Sequence, residues 1–186
     1  IKLPHLTGCV TISASGHLFE PLIILPNKKT MRYLGKFTNH VYLASSSAGR
    51  MTKNLFSYYC LLLVCELSYY LQSLPDEIRN DRILLLVDGH PNRYNFEAAL
   101  ILYLFDIDLV LIPPHTSHLL QDFDMVISAP LKKYFKEEIL FERFDYYLLN
   151  GFKNSKQTAR DLRKSIIFSF LNALEKSCTI HNIESG

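Results

Sequence analysis

Two segments of this sequence concentrate the side chains that could do chemistry. The first, ILLLVDGHPNRYN (83–95), is an apolar run that ends on a carboxylate, Asp88, with His90 close behind. The second, DLVLIPPHTSHLLQDFD (108–124), leads from another apolar run through His115 and His118 to Asp122 and Asp124. Three chemistries could use these groups. Carboxylates are hard oxygen ligands, and Mg²⁺ is often held by one or two of them plus water and substrate phosphate. Two such ions roughly 3.5–4 Å apart activate water and stabilise the leaving oxygen of a phosphodiester. His115 and His118 form an H-x-x-H pair that a zinc hydrolase could use, although here it stands in a loop beside prolines. Ser117 with a neighbouring His could be a nucleophile, but no G-x-S-x-G elbow surrounds it. Each residue also has a plain structural reading. Asp88–Gly89 is a common turn pair. Asp122 and Asp124 suit the N-terminus of a following helix. The two loop histidines could simply brace the chain. The concentration of all of them at one predicted edge favours a site.

That edge is set by the elements around it. Residues 83–88 form an unbroken apolar run of strand length, which suits a strand covered on both faces. Residues 92–104 have helical spacing, with Asn92 as a cap, and DLVLIPP (108–114) is a second covered strand stopped by prolines. Strand, helix, strand predicts a right-handed crossover and a parallel pair. Sites in open α/β sheets form beyond the carboxyl ends of such strands. Upstream, CVTISASG (9–16) and PLIILPN (21–27) predict an antiparallel hairpin, and VYLASS (41–46) a third strand. Thr52 is the expected N-cap of a long helix running to about Ser73. Its apolar part, residues 55–71, is interrupted by Glu66 and falls short of the roughly 20 residues a membrane span needs. It reads as a core helix, and no membrane partner is expected. Helices are also expected near 124–147 and 158–176, the latter with Ile166, Ile167, Phe170 and Leu174 on one face. The layout is α/β with a mixed sheet. It contains no Gly-rich dinucleotide or P-loop motif.

The 186 residues are enough for one domain with a full core, and 48% hydrophobic with 20% charged content is ordinary for a globular chain. A net charge of +2 identifies no partner, but from Leu131 to Lys164 there are nine Lys/Arg against five Asp/Glu. Lys132, Lys133 and Lys136 are therefore candidate phosphate contacts, with a solvated helical face as the other reading. Cys9, Cys60, Cys65 and Cys178 form no C-x-x-C pair and read as reduced thiols of a cytosolic or nuclear protein. The chain opens without Met or a signal-peptide pattern, as a piece of a longer protein would.

LLLVDGHPNRYN, LVLIPPHTSHLLQDFD and SAPLKKYF together resemble the DDE-superfamily endonuclease domain of pogo/Tigger-type transposases and their Jerky and centromere-protein-B relatives. GCVTISASGHLFEPLIILPNKK fits the family's usual pair of strands, and SSAGRMTKNLFSYYC fits the opening of its long helix. The resemblance runs from about Thr7 to Phe135. It implies a ribonuclease-H-like fold, with residues 1–147 as a partial catalytic domain and 148–186 as a helical extension of it. It further implies Mg²⁺ or Mn²⁺ as cofactor, DNA as substrate for cleavage and strand transfer, and a nuclear location, with a homodimer as one assembly open to it. Carried over by residue, Asp88 is the family's second aspartate. Asp124, three after Gln121, is the third. His90, His115 and His118 border the site. Asp122 stands where the family usually has Pro, adding negative charge beside the implied ligand. The family's first aspartate lies upstream of the part matching Thr7–Ser13, so that strand and its carboxylate are expected to be missing. No Asp precedes Asp76, and Glu20 is misplaced for the role. The alternative reading is a domesticated, catalytically inactive module that binds DNA or protein.

Overall fold

A computed structural model describes residues 6–26, 40–113, 127–150 and 158–178. The chain divides into two compact units, Ile1–Thr11 with Phe19–Gln121, and Ile12–Leu18 with Asp122–Gly186. In the first unit the predicted antiparallel pairing forms, but its first strand is Thr7–Cys9 rather than 9–16, where Ile12 makes only an isolated bridge to Leu18. β1 (Thr7–Cys9) pairs antiparallel with β2 (Leu22–Pro26), which pairs parallel with β3 (Tyr42–Ser46). β2 is therefore the central strand of this sheet. Its Leu22, Ile23, Ile24 and Leu25 are all fully buried, so both of its faces are covered.

Thr52 caps α1 (Lys53–Gln72) as expected, its hydroxyl accepting from the Leu55 N–H at 3.2 Å. Phe56, Tyr59, Cys60, Leu63, Val64 and Leu67 recur at helical spacing and are buried in one core with Leu22, Ile24, Ala44, Leu102 and Ile107. Each fully buried large side chain contributes roughly 1.5–3 kcal/mol by leaving water. Glu66, which interrupts the apolar run, accepts the Glu20 backbone N–H at 2.9 Å. Among the described residues no helix is long and apolar enough to cross a membrane. A single helical turn, α2 (Asp76–Arg79), leads into β4 (Ile83–Val87).

β4 and β5 (Ile107–Leu111) form a separate two-stranded sheet, parallel as predicted, with Val87 abreast of Leu111. The covering of β4 differs from expectation. Leu84 and Leu86 are 64% and 59% exposed, while Ile83, Leu85 and Val87 pack on the core. An apolar run marks the residues but not the number of layers built upon them, and the doubly covered strand is β2. The helix between β4 and β5 also starts later than its spacing suggests. Pro91–Arg93 is a 3₁₀ turn, and α3 (Phe96–Tyr103) begins after Asn95, which caps it in place of Asn92. Proline has a fixed φ and no N–H, so it opens a tight turn more readily than it continues a helix.

In the second unit α4 (Ala129–Asn150) runs past the predicted end at 147, its predicted start at 124 lying outside the described residues, and α5 (Ala159–Ser177) matches its predicted span. Phe135 and Phe170 meet edge to face at 6.2 Å, and Glu138 pairs with Lys176 and Asn172. Lys176 beside Glu138 holds its carboxyl below the usual range. Ile166, Ile167 and Leu174 are buried, as the shared face predicted. The described residues thus make a mixed α/β structure of small sheets and five helices, consistent with a ribonuclease-H-like fold.

Candidate active site around Asp88

Asp88 follows the last residue of β4, and the ladder beside it does not stop with β5. The Ile112 N–H donates to the Val87 carbonyl at 2.9 Å, so the chain leaving β5 stays beside the end of β4 as far as Ile112. The two motif segments therefore leave the sheet side by side at its carboxyl edge. His115, His118, Asp122 and Asp124 lie outside the described residues.

The loop after Asp88 folds back on it. Asp88 Oδ1 accepts from Arg93 Nε at 3.0 Å and, at a longer 3.4 Å, from the His90 backbone N–H. The Asp88 side chain is 45% exposed, whereas that of Arg93 is only 15% exposed. The Arg93 guanidinium lies over the Phe56 ring, 4.8 Å from its centroid. His90 is exposed and caps the 3₁₀ turn, its Nδ1 accepting the Asn92 N–H at 3.3 Å. Two asparagines tie this loop to the start of α1. Asn92 Nδ2 donates to the Met51 carbonyl at 2.7 Å, and Asn95 Nδ2 to the Lys53 carbonyl at 2.8 Å. Asn95 also reaches the Ser57 hydroxyl at 2.6 Å and caps α3 through the Glu97 N–H at 3.1 Å. Replacing Asn95 with alanine removes the cap and these ties together. The expected cost is about 2 kcal/mol, read as a lower urea midpoint with an unchanged m-value.

Sequence reading missed Arg93, Asn92 and Asn95 as parts of this site. The available signal was Gly-His-Pro-Asn directly after Asp88, a turn-forming string that returns the chain toward its origin. Glu20, dismissed from sequence as a site carboxylate, instead stands 3.7 Å from His40 Nδ1. Asp108, on β5, pairs with Arg82 at 2.9 Å. Among the described residues no group of three or more His, Cys, Asp or Glu could hold a metal. Lys132, Lys133 and Lys136 are exposed on α4, in the second unit.

Cys9 and Cys60 both lie within reach of the Arg93 charge, and Cys9 also of Asp88. Burial pushes the Cys9 thiol up to about 11, with Arg93 opposing and Asp88 reinforcing the shift. Burial likewise pushes Cys60 up to about 12. All four cysteines are free. The folded state thus holds thiol protons that the unfolded chain releases above its ordinary value near 9.0. This contribution is fully present below pH 9 and is lost as pH rises toward 11–12. The melting temperature should fall over that window, and a Cys60→Ala protein, although less stable at pH 8, should show a shallower decline. Circular-dichroism melts from pH 8 to 11 read both slopes.

Residues 5–184 match the family model described as DDE superfamily endonuclease. The chain belongs to that family. A stretch of 58 residues is also 36% identical to a Cochliobolus lunatus protein named MFS-type transporter clz9. That match covers 31% of this chain and 6% of the transporter-named protein, so the chain spans only a small part of that relative. No solved structure gives a significant match.

DDE superfamily endonucleases generally use divalent metals, and Asp88 fits one ligand position for such an ion. It is a hard oxygen donor, half-exposed, and Oδ2 carries no hydrogen bond from a described residue while Oδ1 carries two. The described residues supply this one carboxylate at the carboxyl edge of β4.

Proposed function

We propose that this chain is the endonuclease domain of a transposase-derived protein of pogo/Tigger type, which cuts DNA phosphodiesters and transfers strands. The observation that carries the reading is the position of Asp88. A half-exposed carboxylate directly follows β4, at the end where its parallel partner β5 also stops. In this reading Asp88 and Asp124 are metal ligands that need a third carboxylate, which the resemblance assigns to an upstream strand. Bound Mg²⁺ or Mn²⁺ would supply an activated water or 3′-hydroxyl and a stabilised leaving oxygen. His90, His115 and His118 border the scissile phosphate. Lys132, Lys133 and Lys136 contact the DNA backbone, which makes binding salt-sensitive. Residues 1–147 carry the catalysis, 148–186 extend the domain, and the protein works in the nucleus.

The test is nicking of supercoiled plasmid by the full-length protein with Mg²⁺ or Mn²⁺. Cleavage that needs the metal and stops with chelator is expected, and cleavage indifferent to both would overturn the reading. One observation favours the second reading, a non-catalytic DNA- or partner-binding module. Asp88 already has a cation, Arg93, against one of its oxygens. That module would bind DNA without any metal dependence.

A further inference from the structure

Two aromatic rings stand in water on the loop that starts at Asp88. Tyr94 is 53% exposed, and Phe96, the first residue of α3, is 80% exposed. Large apolar groups left in water together mark interaction sites. Asn95 between them has extended backbone, φ −139° and ψ 115°, and its side chain turns inward onto the Lys53 carbonyl at 2.8 Å and the Ser57 hydroxyl at 2.6 Å. The neighbours of an extended residue project to the side opposite its own, so Tyr94 and Phe96 leave the chain together. The rise of an extended chain sets their Cα atoms roughly 6.5–7 Å apart. Bases along a nucleic-acid strand repeat every 3.4 Å or so, about half that distance. The spacing therefore suits two rings with one planar base between them. The loop holds it firmly, since Asn92 and Asn95 tie it to the start of α1 and the Arg93 Nε–H ties it to Asp88.

The charges around the rings suit a phosphate chain. Arg50 and Lys53 are exposed on the segment to which the loop is tied, and neither forms a salt bridge among the described residues. Arg93 offsets the carboxylate of Asp88 at 3.0 Å, and Glu97 accepts from the Ser57 hydroxyl at 3.3 Å. Cations beside open aromatic rings are the groups with which proteins hold unpaired nucleic acid, phosphates on the cations and bases on the rings. We propose that Tyr94 and Phe96 form a clamp for one unstacked nucleobase, with Arg50 and Lys53 on the flanking phosphates. This rests on the reading of the chain as a DNA-cutting domain, but it requires no metal. Arg93 touches Asp88 and Tyr94 is the next residue, so the clamped base lies within about two nucleotides of a phosphodiester at Asp88.

The test uses the full-length protein in chelator, with a fluorescein-labelled oligothymidylate as single-stranded probe. Tyr94→Ala and Phe96→Ala are each expected to weaken its binding about ten-fold by anisotropy, and to weaken a fully paired duplex less than about two-fold. The double variant should lose little more than either one, because the base needs both rings. Phe96→Trp keeps the platform and should stay within about three-fold of wild type. Lys53→Ala should weaken both DNAs alike and lower the salt slope by about one. Equal losses on both DNAs from the aromatic changes overturn the clamp. Unchanged binding in Tyr94→Ala and Phe96→Ala, while wild type holds the probe, sinks the clamp alone. No binding of either DNA by wild type sinks the DNA reading with it. If Phe96→Ala alters oligomeric state by light scattering but not probe affinity, the face serves a protein contact and the inference fails. Wild type supplies a measurement free of folding effects. An irradiated 5-iodouracil probe should crosslink to the peptide carrying residues 94–96, and crosslinks confined to other peptides contradict the inference.

Discussion

Replacing Asp88 with alanine in the full-length protein is expected to lower metal-dependent DNA nicking at least about a hundred-fold. Even partners that only orient a metal ligand cost ten- to a hundred-fold when removed, and a direct ligand should cost no less. The loss should appear in the rate at saturating DNA rather than in DNA affinity, since phosphate contacts elsewhere carry the binding. Asp88→Asn should behave alike, because the amide keeps the size of the carboxylate but not its charge. The fold should survive both changes. Asp88 is half-exposed, so water partly screens its ion pair with the more buried Arg93, and losing it should cost about 1 kcal/mol. A protein that melts like wild type and still cuts at a comparable rate would remove Asp88 from the site.

Phe56→Ala should be the most damaging change to stability near the site, at about 3–5 kcal/mol. The ring is buried in the core of the first unit and is the surface on which Arg93 rests. Removing it opens a cavity and also leaves a largely buried guanidinium without its apolar support. Against a typical total of 5–15 kcal/mol this loss is large, equivalent to roughly 10–15 °C in melting temperature for a chain of this length. Phe56→Leu keeps most of the volume and should cost about 1–1.5 kcal/mol. Urea unfolding of the three proteins settles the order, and an alanine variant as stable as the leucine variant would contradict the packing argument.

Much of the scaffold was legible because it is written in local chemistry. Thr52 before a long apolar stripe predicted both the start and the span of α1, since a cap and a period are properties of neighbouring residues. The parallel pairing of β4 and β5 followed from strand, helix, strand, as the crossover permits little else. The same rule put Asp88 at the carboxyl edge of β4, beside the end of β5. Family membership was equally open to reading, carried by the strings around Asp88 and Gln121 and shown by the match over residues 5–184.

Other features depend on distances between residues far apart in the chain. The run ILLLV looks covered on both faces, yet Leu84 and Leu86 are exposed, because hydrophobicity cannot count the layers above a sheet. Residues 92–104 look like one helix, but the proline at 91 spends the first turn on a 3₁₀ reversal and leaves the cap to Asn95. That reversal turns Arg93 back onto Asp88, while Phe56, 37 positions upstream, supplies the ring that holds it there. The sequence by itself determined where a carboxylate would stand. Only the tertiary structure decided that a cation would stand against it, because their meeting depends on a turn and a core contact with no shared period.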